Sequence, residues 1–163
     1  MIEAKNEYNY LKVYFDGGSR GNPGPAAVGA VIYDENDKKI DEVSLCIGKQ
    51  TNNIAEYTAL DKALDALEDF KCSKVVLFTD SKLLHHQIKK IWKIKDSNIL
   101  KIYLSVNKKL SRYGLVDLRL IPREMNKEAD RLVNLALDGK ETSYEGESEI
   151  KFGSIEDPDS IGK

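Results

Sequence analysis

The stretch Val75-Val76-Leu77-Phe78-Thr79-Asp80 decides the fold. Its four consecutive apolar residues, 75–78, are too few for a helix and read as a strand buried on both faces, with Asp80 just past its end. Upstream, residues 54–70 carry Leu60, Ala63, Leu64, Leu67 and Phe70 at helical spacing, an amphipathic helix that Asn52 or Asn53 can cap. Downstream, 82 to about 92 and 97 to about 113 read as helices, and 116–121 as a strand stopped by Pro122. Asn126 then caps a last helix through Leu137. At the other end of the chain, 10–15 alternates into a first strand ending at Asp16, followed by a Gly/Pro-rich loop over 17–25. Strands at 27–33 and 39–47, joined by the turn at 34–37, complete an antiparallel meander. The order is βββαβααβα, an α/β fold. Helical crossovers make the first, fourth and fifth strands parallel neighbours, and sites in such sheets form at the carboxyl ends of the strands.

The chain has 163 residues, 41% hydrophobic and 32% charged, which suits one globular domain and sets the chain apart from disordered proteins. The expected layout is an N-terminal arm at 1–9, a folded domain at 10–138 and an acidic tail at 139–163, in which 150–152 can dock as one short strand. No apolar run approaches the roughly 18 residues of a membrane span, and the polar first ten residues are no signal peptide. Cys46 and Cys72 are too few for a disulfide framework and read as reduced thiols, with the cytoplasm as the default compartment.

The net charge of −2 hides a division. From Asp138 onward the balance is −5, and residues 1–137 carry +3. Residues 82–112 alone carry +8, with Trp92 and Tyr103 interleaved and Tyr113 directly after them. A phosphate backbone senses charge locally, so the stretch is a candidate nucleic-acid surface; the plainer alternative is a solvated helical face.

Four carboxylates stand out. Asp16 and Asp80 end strands expected to be parallel neighbours, so both emerge at one edge. Glu56 shares a helix face with Leu60, Ala63 and Leu64, which turns it inward where a solvated Glu does not belong. Asp130 lies in the first turn of the last helix, at the margin of the Val133 and Leu137 stripe. Singly, each has an ordinary explanation as a turn former or a helix N-terminal charge. Together, four converging acids repel and need a cation. Oxygen ligands favour Mg²⁺ or Mn²⁺, no His/Cys cluster competes, and a shared cradle of this kind suits phosphodiester hydrolysis with two ions about 4 Å apart.

The loop Asp16-Gly-Gly-Ser-Arg-Gly-Asn-Pro-Gly-Pro25 lacks the Lys-Ser/Thr of a P-loop and runs into a strand, so it is neither a Walker loop nor a dinucleotide fingerprint. Its glycines permit close approach of a ligand, and Ser19, Arg20 and Asn22 supply donors there. Thr51, Asn52 and Asn53 add polar side chains at a helix N-terminus.

The strings YFDGGSRGNPGPA, TNNIAEYTAL, FTDSKLL and REMNKEADRLVNLAL occur in this order, each bearing one of the four acids. They resemble the signature blocks of type 1 ribonuclease H, over about 10–137. The resemblance implies a ribonuclease H-like fold, with a five-stranded mixed sheet of order 3-2-1-4-5 flanked by helices. It also implies cleavage of the RNA strand of an RNA–DNA hybrid to 3′-hydroxyl and 5′-phosphate ends. Asp16, Glu56, Asp80 and Asp130 would then be catalytic ligands of two Mg²⁺ ions, with Mn²⁺ able to substitute. Asn22, Asn52 and Asn53 match residues that line the minor groove of the hybrid, and Thr51 one that grips a DNA phosphate. Lys89, Lys90, Trp92 and Lys93 occupy the place of the family's basic, Trp-bearing region. A monomer with no membrane or protein partner is expected.

Three departures from the family pattern matter. The short loop Pro122-Arg-Glu-Met-Asn126 lacks the His that the best-described members carry, and Arg123 or Glu124 are the candidates to replace it. His85 and His86 are not expected to be catalytic. The region after Asp80 is short, and Lys82 stands where an uncharged polar residue is common. The competing readings are a nuclease of broader range that also cuts double-stranded RNA, and a non-catalytic nucleic-acid-binding member of the fold. A small metal- or protein-interaction domain built on the acidic rim leaves the basic stretch unexplained.

Overall fold

Five strands, β1 (Leu11–Ser19), β2 (Gly24–Tyr33), β3 (Lys39–Gln50), β4 (Lys74–Thr79) and β5 (Leu115–Leu120), form one sheet in the order β3-β2-β1-β4-β5. The computed structural model describes residues 7–139, so the expected strand at 150–152 lies outside the described residues. β1, β2 and β3 pair antiparallel, while β4 runs parallel to β1 and β5 parallel to β4, as the crossovers require. The α/β class and the sheet order are those expected.

Three helices, α1 (Asn52–Leu67), α2 (Lys82–Ile88) and α3 (Ser97–Leu110), and a fourth, α4 (Lys127–Leu137), flank the sheet. Leu11, Val13 and Phe15 alternate along β1 and are fully buried with Leu60, Leu64 and Leu67 of α1 in the main core. Each side chain of this kind stabilises the fold by about 1.5–3 kcal/mol. α4 packs against β2, β3 and β1, where Val133 and Ala136 meet Ala27 in a smaller cluster. Ahead of β1, Glu7 bridges to Lys71 and the Tyr8 ring meets Phe70 edge-on.

The Gly-rich segment is mostly strand rather than loop. β1 continues through Gly17 and Gly18 to Ser19, β2 begins at Gly24, and only residues 20–23 turn. Close packing explains the composition: a Cβ on Gly17 would lie 2.0 Å from the Ala55 carbonyl oxygen, so the glycine lets the first turn of α1 abut the strand. The α1 cap is Thr51, whose Oγ1 accepts from the Ile54 amide at 3.2 Å, rather than Asn52 or Asn53. α2 stops at Ile88 instead of reaching about 92, because Lys90 takes a left-handed φ of 64° and the Ile91 and Trp92 amides turn back to the His86 carbonyl. Asn126 stands at the N-cap of α4, behind a single 3₁₀ turn at Arg123–Met125, yet its side chain makes no capping bond.

Candidate active site

The pairing of β1 with β4 runs from Leu11↔Val75 to Tyr14↔Phe78. Tyr14 and Phe78 stack with ring centroids 4.3 Å apart. Two residues further along β1, on the face of Tyr14, comes Asp16, and two past Phe78, just beyond the end of β4, comes Asp80, where the two strands part. Glu56 reaches this point from the first turns of α1, its Oε1 accepting from the Gly17 amide at 3.2 Å. Carboxylate oxygens of Asp16, Glu56 and Asp80 all lie within 4.8 Å of one another. The sequence predicts a meeting of four acids, and three of them form the cluster. Asp130, on the exposed face of α4, stands at its rim, close enough for its charge to act on Asp16 but outside the group of three.

Glu56 is 5% exposed and Asp16 8% exposed, which leaves two carboxylates with little water to spread their charge. Burial, then the charges of Asp80 and Asp130, push the Asp16 carboxyl up to about 8, while the Gly17 amide and Arg123 act in the opposite direction. Burial and the charges of Asp16 and Asp80 raise Glu56 in the same way. Ionised together, these groups require a counter-charge. The donors are oxygen only, with no His or Cys in the group, which fits a hard divalent cation.

Asn126 is the residue whose role sequence reasoning missed. It is 1% exposed, and its Nδ2 donates both to Asp80 Oδ2 at 2.8 Å and to the Phe15 carbonyl at 2.9 Å. Its Oδ1 is buried with no partner among the described residues. Asn at a helix start is so well explained as a cap that the sequence carries no separate signal for this second task. Arg123 and Glu124, the candidates for the missing His, are both exposed in the 3₁₀ turn, and the Arg123 charge reaches Asp16.

The remaining candidates fall into two groups. Asn22 Oδ1 accepts from the Asn52 amide at 2.9 Å, and Asn52 Oδ1 accepts from the Ser19 amide at 3.3 Å, which ties the 20–23 turn to the start of α1. Thr51 and Asn53 are exposed beside them, and Ser19 Oγ is buried with no partner among the described residues. Arg20 points to the end of α4, pairing with Asp138 at 2.8 Å and Asn134 at 3.2 Å. The second group follows α2: Lys89, Lys90, Trp92 and Lys93 are all exposed on the loop after Ile88. Trp92 leans on His86 with centroids 4.6 Å apart, and Lys82 Nζ lies 5.9 Å from its ring centroid. His85 and His86 face each other, ring nitrogens 3.1 Å apart.

Sheet order, helical layers and acids at the parting of β1 and β4 define a ribonuclease H-like protein. The family model described as reverse transcriptase-like matches residues 14–136. The chain belongs to the ribonuclease HI family. It is 40% identical over 128 residues to ribonuclease HI of Halobacterium salinarum, covering 78% of this chain and 64% of that protein. The crystal structure of ribonuclease H1 from the same archaeon superposes with a TM-score of 0.77 at 38% identity, over 80% of this chain and 98% of that one. A bifunctional protein of Mycobacterium tuberculosis is 36% identical over 149 residues, 90% of this chain and 41% of its own length. LC11-RNase H1, solved in complex with an RNA/DNA hybrid, gives a TM-score of 0.75 at 36% identity, over 79% of this chain and 97% of that one. The chain thus spans 41% and 64% of the two curated relatives. No helix among the described residues is long and apolar enough to cross a membrane.

Proposed function

We propose that this chain is a divalent-metal-dependent endonuclease that hydrolyses the RNA strand of RNA–DNA hybrids to 3′-hydroxyl and 5′-phosphate ends. The observation that carries the reading is the approach of Asp16, Glu56 and Asp80, from two strands and a helix, to within 4.8 Å. Its likeness to LC11-RNase H1, solved with a hybrid, supports the substrate.

Asp16, Glu56 and Asp80, with Asp130 at the rim, are the residues that would hold two Mg²⁺ ions, Mn²⁺ being able to substitute. Bound there, such ions supply an activated water and a sink for charge on the leaving oxygen. The chain's own groups do the positioning. The Gly17 amide orients Glu56, and Asn126 orients Asp80. Asn22, Asn52 and Asn53, with Ser19 beside them, offer short polar side chains to a minor groove, and Arg20, held toward the end of α4, flanks them. Reading 2′-hydroxyls on one strand only separates a hybrid from either pure duplex. Thr51 presents its hydroxyl to a DNA phosphate, and Lys89, Lys90, Trp92 and Lys93 receive the backbone further along.

An end-labelled cleavage panel tests the proposal, with hybrid, double-stranded RNA, double-stranded DNA and single strands, each in Mg²⁺, Mn²⁺ or chelator. Metal-dependent cutting of the hybrid's RNA strand alone is expected. Activity that survives chelation discards the metal reading, and equal cutting of both RNA-containing duplexes discards hybrid selectivity.

A further inference from the structure

The loop that carries Lys89, Lys90, Trp92 and Lys93 is fastened at both ends. At its start the Lys90 amide donates to the Gln87 carbonyl at 3.0 Å, and the Ile91 and Trp92 amides share the His86 carbonyl at 2.7 and 3.1 Å. The left-handed Lys90 makes that return possible. At its far end the Lys93 carbonyl accepts from Gln87 Nε2 at 3.0 Å. Gln87 is 6% exposed, and its other amide atom, Oε1, accepts from the Tyr57 hydroxyl at 2.8 Å. Tyr57 is fully buried and follows Glu56 directly in α1. A line of two hydrogen bonds therefore runs from the residue next to an active-site acid, through one buried amide, to the backbone of the basic loop.

Neither residue faces solvent, so neither is placed to touch a nucleic acid. A surface loop of five exposed side chains has no need of a buried Gln for solubility, and a buried amide is costly unless both its ends are satisfied. Here both ends are used, and what they join is α1, the helix that carries Glu56, and the basic loop. We infer that Tyr57 and Gln87 are positioning residues that hold the basic Trp92 loop at a fixed distance from the acidic cluster, so that the loop is ordered before a hybrid arrives. The inference rests on the reading of the chain as a hybrid nuclease. An untethered loop must be ordered at each encounter, which weakens binding without altering the reacting groups. It also lets the contacted phosphates vary relative to the scissile one, which spreads the cleavage positions.

Trp92 is the sole tryptophan, so its fluorescence reports the loop directly and needs no activity. The test compares Gln87→Met, which removes both bonds while keeping an apolar filler, with Tyr57→Phe, which removes one oxygen. Acrylamide quenching of Trp92 in the free protein should rise in Gln87→Met, and less in Tyr57→Phe. KM on a long hybrid should rise about three- to tenfold, in proportion to the hydrogen bonds lost, with kcat within about twofold. End-labelled products should spread over more positions. Should Gln87→Met fail to fold, Tyr57→Phe decides alone. Unchanged quenching in the folded variants overturns the tether, and so does a fall in kcat with KM and product positions unmoved. A Lys89/Lys90/Lys93→Ala variant tests the underlying reading: if it binds hybrid as the parent does, the loop is no hybrid surface, whatever Trp92 reports.

Discussion

Asn126 Nδ2 lies 2.8 Å from Asp80 Oδ2, and the same nitrogen holds the Phe15 carbonyl, one residue before Asp16. One amide group thus clamps the last turn before α4 to β1 beside Asp16 and to Asp80 just past the end of β4. The strands cease to pair at Tyr14 and Phe78, so nothing in the ladder fixes the spacing beyond that point.

The clamp makes a specific prediction. Asn126→Asp keeps the shape but sets a carboxylate against both Asp80 and a carbonyl oxygen. We expect kcat to fall at least about tenfold and the Mg²⁺ requirement to move to higher concentration, with KM for hybrid little changed. Asn126→Ala leaves a buried carbonyl without this donor and costs about 1–3 kcal/mol of stability. Metal titrations of activity, set beside urea unfolding curves, separate the two effects. A variant with unaltered metal dependence removes Asn126 from the site.

The four acids should not be equivalent. Asp16→Asn and Asp80→Asn remove members of the cluster of three and are expected to abolish metal-dependent cleavage with the fold intact. Asp130 is exposed and stands outside that cluster, so Asp130→Asn should leave a measurable fraction of the parent rate. Equal losses at Asp130 and Asp80 in steady-state assays would show that the rim acid belongs with the others.

Metal-free protein should report the crowding of these acids through its pH dependence. Burial and neighbouring charges push Asp16 from an ordinary 3.8 up to about 8, and Glu56 moves the same way. The folded state then holds protons more tightly than the unfolded chain. The stability this contributes is complete below about pH 4 and is lost as pH rises through about 8. Ordinary carboxylates are already ionised between pH 6 and 9, so across that window the difference between the parent and Asp16→Asn isolates the effect from the histidines and cysteines that also titrate there. Tm in chelator should fall across it, Asp16→Asn should flatten the fall, and divalent metal should stabilise most at the alkaline end. A chelated Tm with the same slope in parent and Asp16→Asn contradicts the assignment of Asp16.

Much of this is legible in the sequence alone. The run at 75–78 and the inward-facing Glu56 specify a parallel strand and an acid beside it, because burial patterns survive into the fold. Local reading failed where distant packing decides. Gly17 and Gly18 look like a loop until α1 is laid against the strand, and Thr51 caps α1 while the Asn52 oxygen accepts from the distant Ser19 amide. The helix after Asp80 seems to extend to about 92, since nothing in its composition announces that Lys90 turns left-handed. Asn126 reads as a cap because the partner it prefers lies forty-six positions away.

Gly17 gives that lesson a test. Ala adds a methyl carbon that would sit 2.0 Å from one backbone oxygen and 2.6 Å from the Glu56 amide nitrogen, and backbone cannot rotate aside as a side chain can. Gly17→Ala should cost about 1–3 kcal/mol and displace Glu56, lowering activity more than stability alone explains. Gly18→Ala, whose nearest neighbour would be a Val133 methyl at 3.6 Å, should be far milder. Similar unfolding midpoints for the two variants would show that α1 can retreat without harm.

Counterion release weighs the basic loop against the rest of the surface. The overall charge is −2, so any attraction to a polyanion must come from local arrangement, and Lys89, Lys90 and Lys93 project from one loop. Each lysine that neutralises a phosphate contributes roughly 0.7–0.9 to the slope of log K against log salt concentration. Changing all three to Ala should therefore reduce that slope by about 2, measured by fluorescence anisotropy on a labelled hybrid in Ca²⁺ to suppress cleavage. Trp92→Ala should weaken binding by a nearly salt-independent factor, because stacking releases no ions. A lysine variant whose affinity falls while its slope stays fixed would mean that these side chains act through loop structure rather than phosphate contact.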